Sequence, residues 1–278
     1  MAETNYSEDG IDSAALNDLV QAGVLNQFFL TALDKEKGDP VTGVWDDLGD
    51  IEPGTDVGVI NSGGTISLSE LDGKTIKDLN ALIFSTEDDV NLTLDKRFKG
   101  LVSFGGGDDT TVYSGANKQN ISAGAGNDSV TTGSGKDFVN AGEGDDSVST
   151  GAGNDSVKTG AGNDTVVTGG GSDTVVTGNG SDSVNAGGGK DKIIVDTDDA
   201  VGENTVTIDG GKGVDTLLLT EVDVVGGSVD GTTVHLHLSD GTMLDISNVE
   251  KFVLDTDGDY TPETIGITGL STYLDGLN

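Results

Sequence analysis

The 278-residue chain contains no cysteine, three prolines and one tryptophan, and each scarcity excludes a class of structure. Without cysteine there is no disulfide, no thiolate catalyst and no thiolate metal site. Any stabilising cross-link must therefore be a metal ion held by other ligands. The prolines, Pro40, Pro53 and Pro262, leave a long interior in which a hydrogen-bonded ladder can run unbroken. Only 33% of residues are hydrophobic and 4% aromatic, which argues against a broad globular core.

Positive charge is also scarce, and the formal net charge is −35. A chain this acidic repels nucleic acids and anionic lipid head groups, so neither is expected as a partner. No stretch has the length and apolar character of a membrane span, so membrane insertion is not expected. The first ten residues have neither a basic region nor an apolar run, so we expect no cleaved N-terminal signal peptide.

What the chain does contain is an internal repeat of nine residues, which occurs eight times without insertion between residues 123 and 194. Positions 2 and 4 are always Gly, position 6 is always Asp, and position 8 is always Val or Ile. Position 1 is Thr or Ala in every copy. Four positions held in register through eight copies predict a repeat architecture and not a disordered acidic tail.

Degenerate copies flank this run. Gln119 stands where the preceding copy should have Asp, and in the copy before it Asp108 and Asp109 are out of frame. A further full copy, carrying Asp215, follows at residues 210–218 after the acidic interruption 196–199. We expect that interruption to be a loop that bulges from the repeat array.

The residue types of the repeat indicate calcium. Glycines at positions 2 and 4 permit a tight turn whose carbonyls converge, and Asp at position 6 adds a short carboxylate beside them. Stacked turns then form cages of hard oxygen ligands, which suit calcium better than zinc, copper or magnesium. The predicted ligand residues are Asp128, Asp137, Asp146, Asp155, Asp164, Asp173, Asp182, Asp191 and Asp215, with the glycines Gly124, Gly126, Gly133, Gly135, Gly142, Gly144, Gly151, Gly153, Gly160, Gly162, Gly169, Gly171, Gly178 and Gly180.

Energetics predict that the array needs this metal to fold. Each repeat buries one Val, worth roughly 1.5–3 kcal/mol. Fixing the backbone costs on the order of 1–2 kcal/mol per residue, and glycine loses the most freedom. Stacked aspartates also repel one another unless a cation lies between them. We therefore expect a chain that is largely unfolded without calcium and folds cooperatively with it.

These repeats resemble the RTX (repeats-in-toxin) family, whose template is Gly-Gly-x-Gly-x-Asp-x-apolar-x. The resemblance implies an all-β fold, a right-handed parallel β-roll that binds several calcium ions. It also implies a secreted protein, exported by type I machinery through an uncleaved C-terminal signal and folded by external calcium. The departure from the template is Thr or Ala at position 1, where Thr is expected to strain the turn slightly.

The flanks of the array are expected to be strands and one helix. We divide the chain into a helical cap at residues 1–54, irregular solenoid-like strands at 55–104, the β-roll at 105–218 and a C-terminal β flank with the secretion signal at 219–278. The helix is predicted between Asp12 and Lys37, as a cap or an arm that docks elsewhere. Strands are predicted at 65–68, 81–84, 90–94, 233–238, 243–246 and 249–254.

No motif of an attached enzyme is present. The chain has neither the His-Glu-x-x-His of a zinc protease nor the Gly-x-Ser-x-Gly of a lipase. Its two histidines, His235 and His237, are expected on one face of a strand, with Leu236 and Leu238 on the other. We therefore expect a protein that is not an enzyme.

Two function classes remain. The first is an extracellular or cell-surface structural protein that self-associates under calcium control into a surface layer, matrix or fibre. The second is a calcium-stabilised adhesin, ice-binding or other ligand-binding module, which an outward ladder of Thr132, Thr150 and Thr168 would favour. A small RTX-linked enzyme is a third alternative.

Overall fold

In a computed structural model of the chain, the described residues are 42–45, 57–60, 62–196, 204–220, 222–254 and 263–277, with only the backbone for 42–45, 220 and 263. The predicted helix between Asp12 and Lys37 lies outside the described residues. So do residues 197–199 of the acidic interruption, whose first residue, Asp196, ends a strand.

The strands stack into two long sheets and one short one. Sheet 1 consists, in spatial order, of β1 (Thr42–Trp45), β2 (Val57–Ile60), β4 (Ala81–Phe84), β6 (Leu101–Ser103), β8 (Asn120–Ala125), β10 (Phe138–Glu143), β12 (Ser156–Ala161), β15 (Thr174–Thr177), β18 (Lys192–Asp196), β21 (Thr216–Thr220), β25 (Lys251–Leu254) and β26 (Glu263–Gly266). Sheet 2 consists of β3 (Gly64–Ser67), β5 (Val90–Thr93), β7 (Thr110–Val112), β9 (Ser129–Thr131), β11 (Ser147–Ser149), β13 (Thr165–Val167), β16 (Ser183–Asn185), β19 (Thr205–Asp209), β24 (Met243–Ser247), β23 (Thr233–Leu238) and β22 (Val224–Asp230). Sheet 3 consists of β14 (Gly170–Gly171), β17 (Gly188–Gly189) and β20 (Lys212–Gly213).

The chain alternates between sheets 1 and 2, so that two repeats complete one coil of a parallel β-roll. Phe138 in sheet 1 pairs with Ser156, and Ser147 in sheet 2 pairs with Thr165, both 18 residues ahead. After the acidic interruption Ser183 pairs with Thr207, and the inter-coil spacing grows to 24 residues. The predicted fold class is confirmed, and the six extra residues leave the register of both sheets intact.

The core is a narrow column between the two sheets. The position-8 side chains, from Val130 to Ile193, are all buried, so each repeat contributes one small apolar side chain as predicted. Larger residues fill the first coils, where the rings of Phe84 and Phe104 stack with centroids 5.0 Å apart. The column is therefore thinnest where the repeats are most regular.

The flanking strands join the same two sheets. All six predicted strand segments contain a strand, and residues 81–84 and 233–238 match their strands residue for residue. Before β4 the chain also forms a 3-10 turn (Leu68–Glu70) and helix α1 (Gly73–Asp78). The Asp72 carboxylate caps α1 by accepting the N–H groups of Lys74 and Thr75.

A helix that the sequence analysis missed covers the C-terminal end of the roll. Helix α2 (Ile267–Leu277) packs against β22, β25 and β26, with Leu270 and Leu274 buried. Strands β22, β23 and β26 are antiparallel to their neighbours, so they end the parallel stacking. No described helix is long and apolar enough to cross a membrane.

The connections between the sheets form the two long edges of the roll. Rim A contains the connections from sheet 1 to sheet 2 between β4 and β16, which are residues 85–89, 104–109, 123–128, 141–146, 159–164 and 177–182. Rim B contains those from sheet 2 to sheet 1, which are residues 68–80, 94–100, 113–119, 132–137, 150–155, 168–173, 186–191, 210–215 and 248–250. Sheet 3 is part of rim B, so the coils are hydrogen-bonded there as well.

Glycine is required at position 4 because successive coils touch there. Gly153 has φ +150°, and an added Cβ would overlap the carbonyl oxygen of Gly135 in the previous coil. Gly170, on the same rim one coil later, has nothing within 4 Å of an added Cβ and no positive φ. The stacking of the coils therefore requires glycine at Gly153 but not at Gly170.

We predict that Gly153→Ala lowers the free energy of unfolding of the calcium-loaded protein by at least about 1–2 kcal/mol, because alanine resists that φ and meets the carbonyl. Gly170→Ala should cost nothing, since its backbone and space accept a methyl group. Urea unfolding followed by circular dichroism measures both, and equal stabilities of the two variants would contradict the stacking argument.

Candidate calcium sites

The position-6 aspartates form two rows, one along each rim. Each carboxylate accepts a backbone N–H of the previous coil through Oδ1. The donor is the preceding row member, as Asp128 is for Asp146 at 2.8 Å and Asp137 is for Asp155 at 2.8 Å, except that Asp109 accepts the N–H of Val90. The rim A row contains Asp109, Asp128, Asp146, Asp164 and Asp182, and the rim B row contains Asp137, Asp155, Asp173, Asp191 and Asp215. All nine predicted aspartates are therefore brought together in two continuous ladders.

The second oxygen of each carboxylate has no partner. Oδ2 of every row member is buried and accepts no hydrogen bond. A buried carboxylate oxygen with no donor is costly, and here the cost recurs in every coil of both rims. A hard cation is the group that would satisfy a whole row of such oxygens.

Burial also raises the pKa of carboxyl groups in both rows. Desolvation is the main cause, the backbone N–H bond opposes it, and neighbouring row members add repulsion where they are close. The pKa reaches about 7 for Asp109, Asp146 and Asp182 and about 6 for Asp128 and Asp191. Desolvation by burial is also the main cause that raises the pKa of Asp137, Asp155, Asp164 and Asp215.

The glycines complete a cradle around the carboxylates. A Cβ on Gly135 would lie 2.6 Å from both Oδ1 of Asp137 and the carbonyl oxygen of Asn117. Of the predicted glycines, eleven have positive φ; Gly133, Gly135 and Gly178 do not, although a Cβ on each would also crowd the previous coil. Without a side chain at position 4, a carboxylate and a backbone carbonyl of the previous coil can both approach the same turn.

No group of three or more His, Cys, Asp or Glu side chains that could hold a metal occurs within the described ranges. A ladder explains this, because each coil adds only one carboxylate to a row. The remaining ligands would have to be backbone carbonyls of the glycine turns. This donor set, all oxygen and mostly neutral, fits calcium, and a bound ion would supply the positive charge that the two rows lack.

The family model of the RTX calcium-binding nonapeptide repeat represents four copies of the repeat. It matches this chain at residues 113–148, 140–175 and 167–199. The chain carries RTX calcium-binding nonapeptide repeats. RTX repeats bind Ca²⁺, and several repeats imply several ions. A search of the curated proteins finds no match. Which atoms of the RTX repeats hold each ion stays a prediction, supported by the unpartnered Oδ2 atoms.

Two members of the RTX ladders, Asp109 and Glu250, were not recognised from the sequence, and Gln119 was recognised only as a departure from the repeat. Asp109 was placed out of frame, but the coil before the repeats has one extra residue, and Asp109 donates its N–H to Asp128 across 19 residues. Glu250 ends the rim B row by accepting the N–H of Asp215 through Oε2 at 2.8 Å. Gln119 begins that row and donates its side-chain amide to the carbonyl of Phe98. Only the inter-coil pairing, which crosses long loops, reveals these roles.

The threonines at position 1 are also not where the sequence analysis placed them. Thr132, Thr150 and Thr168 do stack, but they are buried inside the roll, so they are not an outward ladder. Each hydroxyl donates to the carbonyl of the next stacked position, as Thr132 does to Thr150 at 3.0 Å. The expected strain is wrong too, because Asn248 is the one described non-glycine residue with positive φ.

The histidines lie outside the calcium rows. His235 and His237 share the outer face of β23, with Leu236 and Leu238 buried beneath, as predicted. Nδ1 of His235 lies within hydrogen-bonding distance, 2.6 Å, of Oδ1 of Asp245 on β24, a contact that was not expected from the sequence. Both side chains are about half exposed, so this pair contributes little to stability.

We predict that Asp146→Asn raises the calcium concentration at the folding midpoint about tenfold, which corresponds to about 1.4 kcal/mol. Asparagine keeps an acceptor for the N–H of Asp128 but removes the charge from the row. Asp145→Asn is the matched control, because Asp145 is exposed on the same turn and Asn127 and Asn163 occupy its place in the adjacent coils. Equal midpoints for the two variants in a calcium titration would contradict the ligand assignment.

We further predict that the calcium-free chain gains β structure as the pH falls from 8 to 5. The raised pKa values mean that the folded state binds protons more tightly than the unfolded state, whose carboxyl groups have a pKa near 3.8. This stabilisation is complete below that value and is lost as the pH rises through about 6 to 7. Circular dichroism in a chelator measures it, and a signal that falls on acidification would be the contrary result.

Proposed function

We propose that this protein is a secreted structural protein that calcium folds into a rod outside the cell, and that the folded rods associate with one another. The observation that carries the proposal is the pair of buried carboxylate rows, each with one unpartnered oxygen per residue. Without a cation, the carboxylates within each row repel one another. Their Oδ2 atoms also lack a partner in a buried environment of low dielectric constant. Calcium is scarce in the cytosol and abundant outside, so folding would be delayed until export.

Type I export follows from the same reasoning. A transporter that moves an unfolded chain needs a substrate that stays unfolded inside the cell, and the RTX ladders provide one. The C-terminal segment that ends in α2 is the proposed secretion signal, as in the family that the repeats resemble. We also propose that the protein is not an enzyme, because the candidate polar sites found in the described part of the chain are those of the calcium rows.

Self-association is supported by the shape of the molecule and not by an open C-terminal end. A β-roll presents long flat faces and two rims that repeat with every coil. Since α2 and the antiparallel strands cover the C-terminal end, simple stacking of bare C-terminal coils is disfavoured. Contact along the length of the rod remains available.

A second candidate function, a calcium-stabilised binding module, is favoured by one feature of sheet 2. Its outer face carries a column of exposed hydroxyl side chains, one per coil: Ser129, Ser147, Thr165, Ser183 and Thr207. The strands β7, β9, β11, β13 and β16 contain no charged residue. A flat neutral face of this kind could contact an uncharged polymer surface.

We predict that protein freed of calcium with a chelator folds and then increases in mass when calcium is added in excess. Magnesium at the same concentration should cause neither change, because the cages suit the larger ion. Circular dichroism measures folding and light scattering measures mass in one titration. Folding to a stable monomer would reject self-association and leave the binding module. No folding would reject the calcium switch itself.

A further inference from the structure

Positive charge is confined to one side of the roll. Of the 14 Lys and Arg residues, Lys35 and Lys37 lie outside the described residues, and the other twelve all lie on rim B or in the strands of sheet 1. Rim A and the strands of sheet 2 contain none. Nine of the twelve are on rim B: Lys74, Lys77, Lys96, Arg97, Lys99, Lys118, Lys136, Lys190 and Lys212.

Rim A is acidic well beyond its calcium row. Its exposed carboxylates are Glu87, Asp88, Asp89, Asp108, Glu143 and Asp145. On rim B the corresponding exposed turn positions of the repeats carry Lys118, Lys136 and Lys190, and Lys212 lies one coil further on. The two rims therefore differ in sign at their surfaces although their buried rows are alike.

These surface charges are not neutralised within the molecule. The described residues form the ion pair of Arg97 with Asp95 and the contact of His235 with Asp245. Neither includes a lysine of the repeat turns or an exposed acid of rim A. A rod with unpaired lysines along one edge and unpaired carboxylates along the other has partners for both on a second copy.

Calcium would sharpen this contrast on rim B. Each further coil adds one buried aspartate with one negative charge, and an ion in the gap between coils brings two positive charges. A loaded rim B row therefore becomes net positive, and the exposed lysines add to it. Rim A gains the same ions, but its six exposed carboxylates offset them.

We infer that folded copies associate side by side, with rim B of one copy against rim A of the next. This inference rests on the proposed self-association and specifies its surface. A second copy is the partner that the geometry fits best, because both rims advance by the same strand spacing of about 4.8 Å per coil. Since the two surfaces of the contact are different, the contact does not close on itself and adds copies in a row.

The test is a charge reversal on rim B, Lys118→Glu with Lys136→Glu and Lys190→Glu. At saturating calcium we expect this variant to need an about tenfold or higher protein concentration for half-maximal association, because like charges then face each other. The matched control reverses three exposed lysines of sheet 1, Lys158→Glu with Lys192→Glu and Lys251→Glu. It changes the net charge equally and should associate within about twofold of the natural chain.

A complementary variant makes the test independent of folding defects. This variant reverses three charges on rim A, with Glu87→Lys, Asp88→Lys and Glu143→Lys. These side chains accept none of the hydrogen bonds that join one coil to the next. Each reversed variant alone should associate weakly, whereas an equal mixture should assemble at the concentration that suffices for the natural chain, because every contact then joins opposite charges. Sedimentation velocity gives the mass, and circular dichroism verifies calcium-induced folding of each variant.

The outcomes separate the two levels of the proposal. Weak association of both reversed variants, recovery in the mixture and loss of association in high salt would support the rim contact. Unchanged association of the rim B variant, or no recovery in the mixture, would overturn it while self-association stands. A natural chain that folds with calcium and stays monomeric would overturn self-association and the rim contact together.

Discussion

The structure depends on one interaction, the stacking of buried carboxylates along the two rims of the roll. Each row member binds the backbone of the previous coil through one oxygen and leaves the other without a donor. The first contact sets the register of the coils, and the second creates a demand for cations. The fold and the proposed calcium requirement therefore depend on the same side chains.

The core of the repeats is thin, so the cations proposed for the rows matter for stability. One valine per repeat and a column of threonines and alanines bury little apolar surface, so hydrophobic burial cannot hold the repeats alone. The coils before residue 105 contain Phe84, Phe98 and Phe104 and are better packed. The molecule thus combines well-packed coils before residue 105 with a central part that we propose depends on the metal, and α2 covers the C-terminal end.

The sequence predicted what repeats and missed what does not. Four fixed positions in nine residues predicted a repeat architecture and the nine aspartates that the two rows contain, whereas the β-roll came from the resemblance to RTX repeats. Asp109 and Glu250 were missed because their roles depend on pairing across a coil of different length or a long hairpin. The inward threonines and α2 were missed because side-chain direction in a turn and the burial of Leu270 depend on tertiary packing.

Amide hydrogen exchange by mass spectrometry, with and without calcium at pH 7.5, tests the central claim most directly. The N–H groups that donate to the aspartate rows should exchange slowly only with calcium, because the rows repel without it. Peptides from residues 123–194 should therefore lose protection in chelator. Equal protection in both conditions would show that the rows are stable without a cation and would contradict the account.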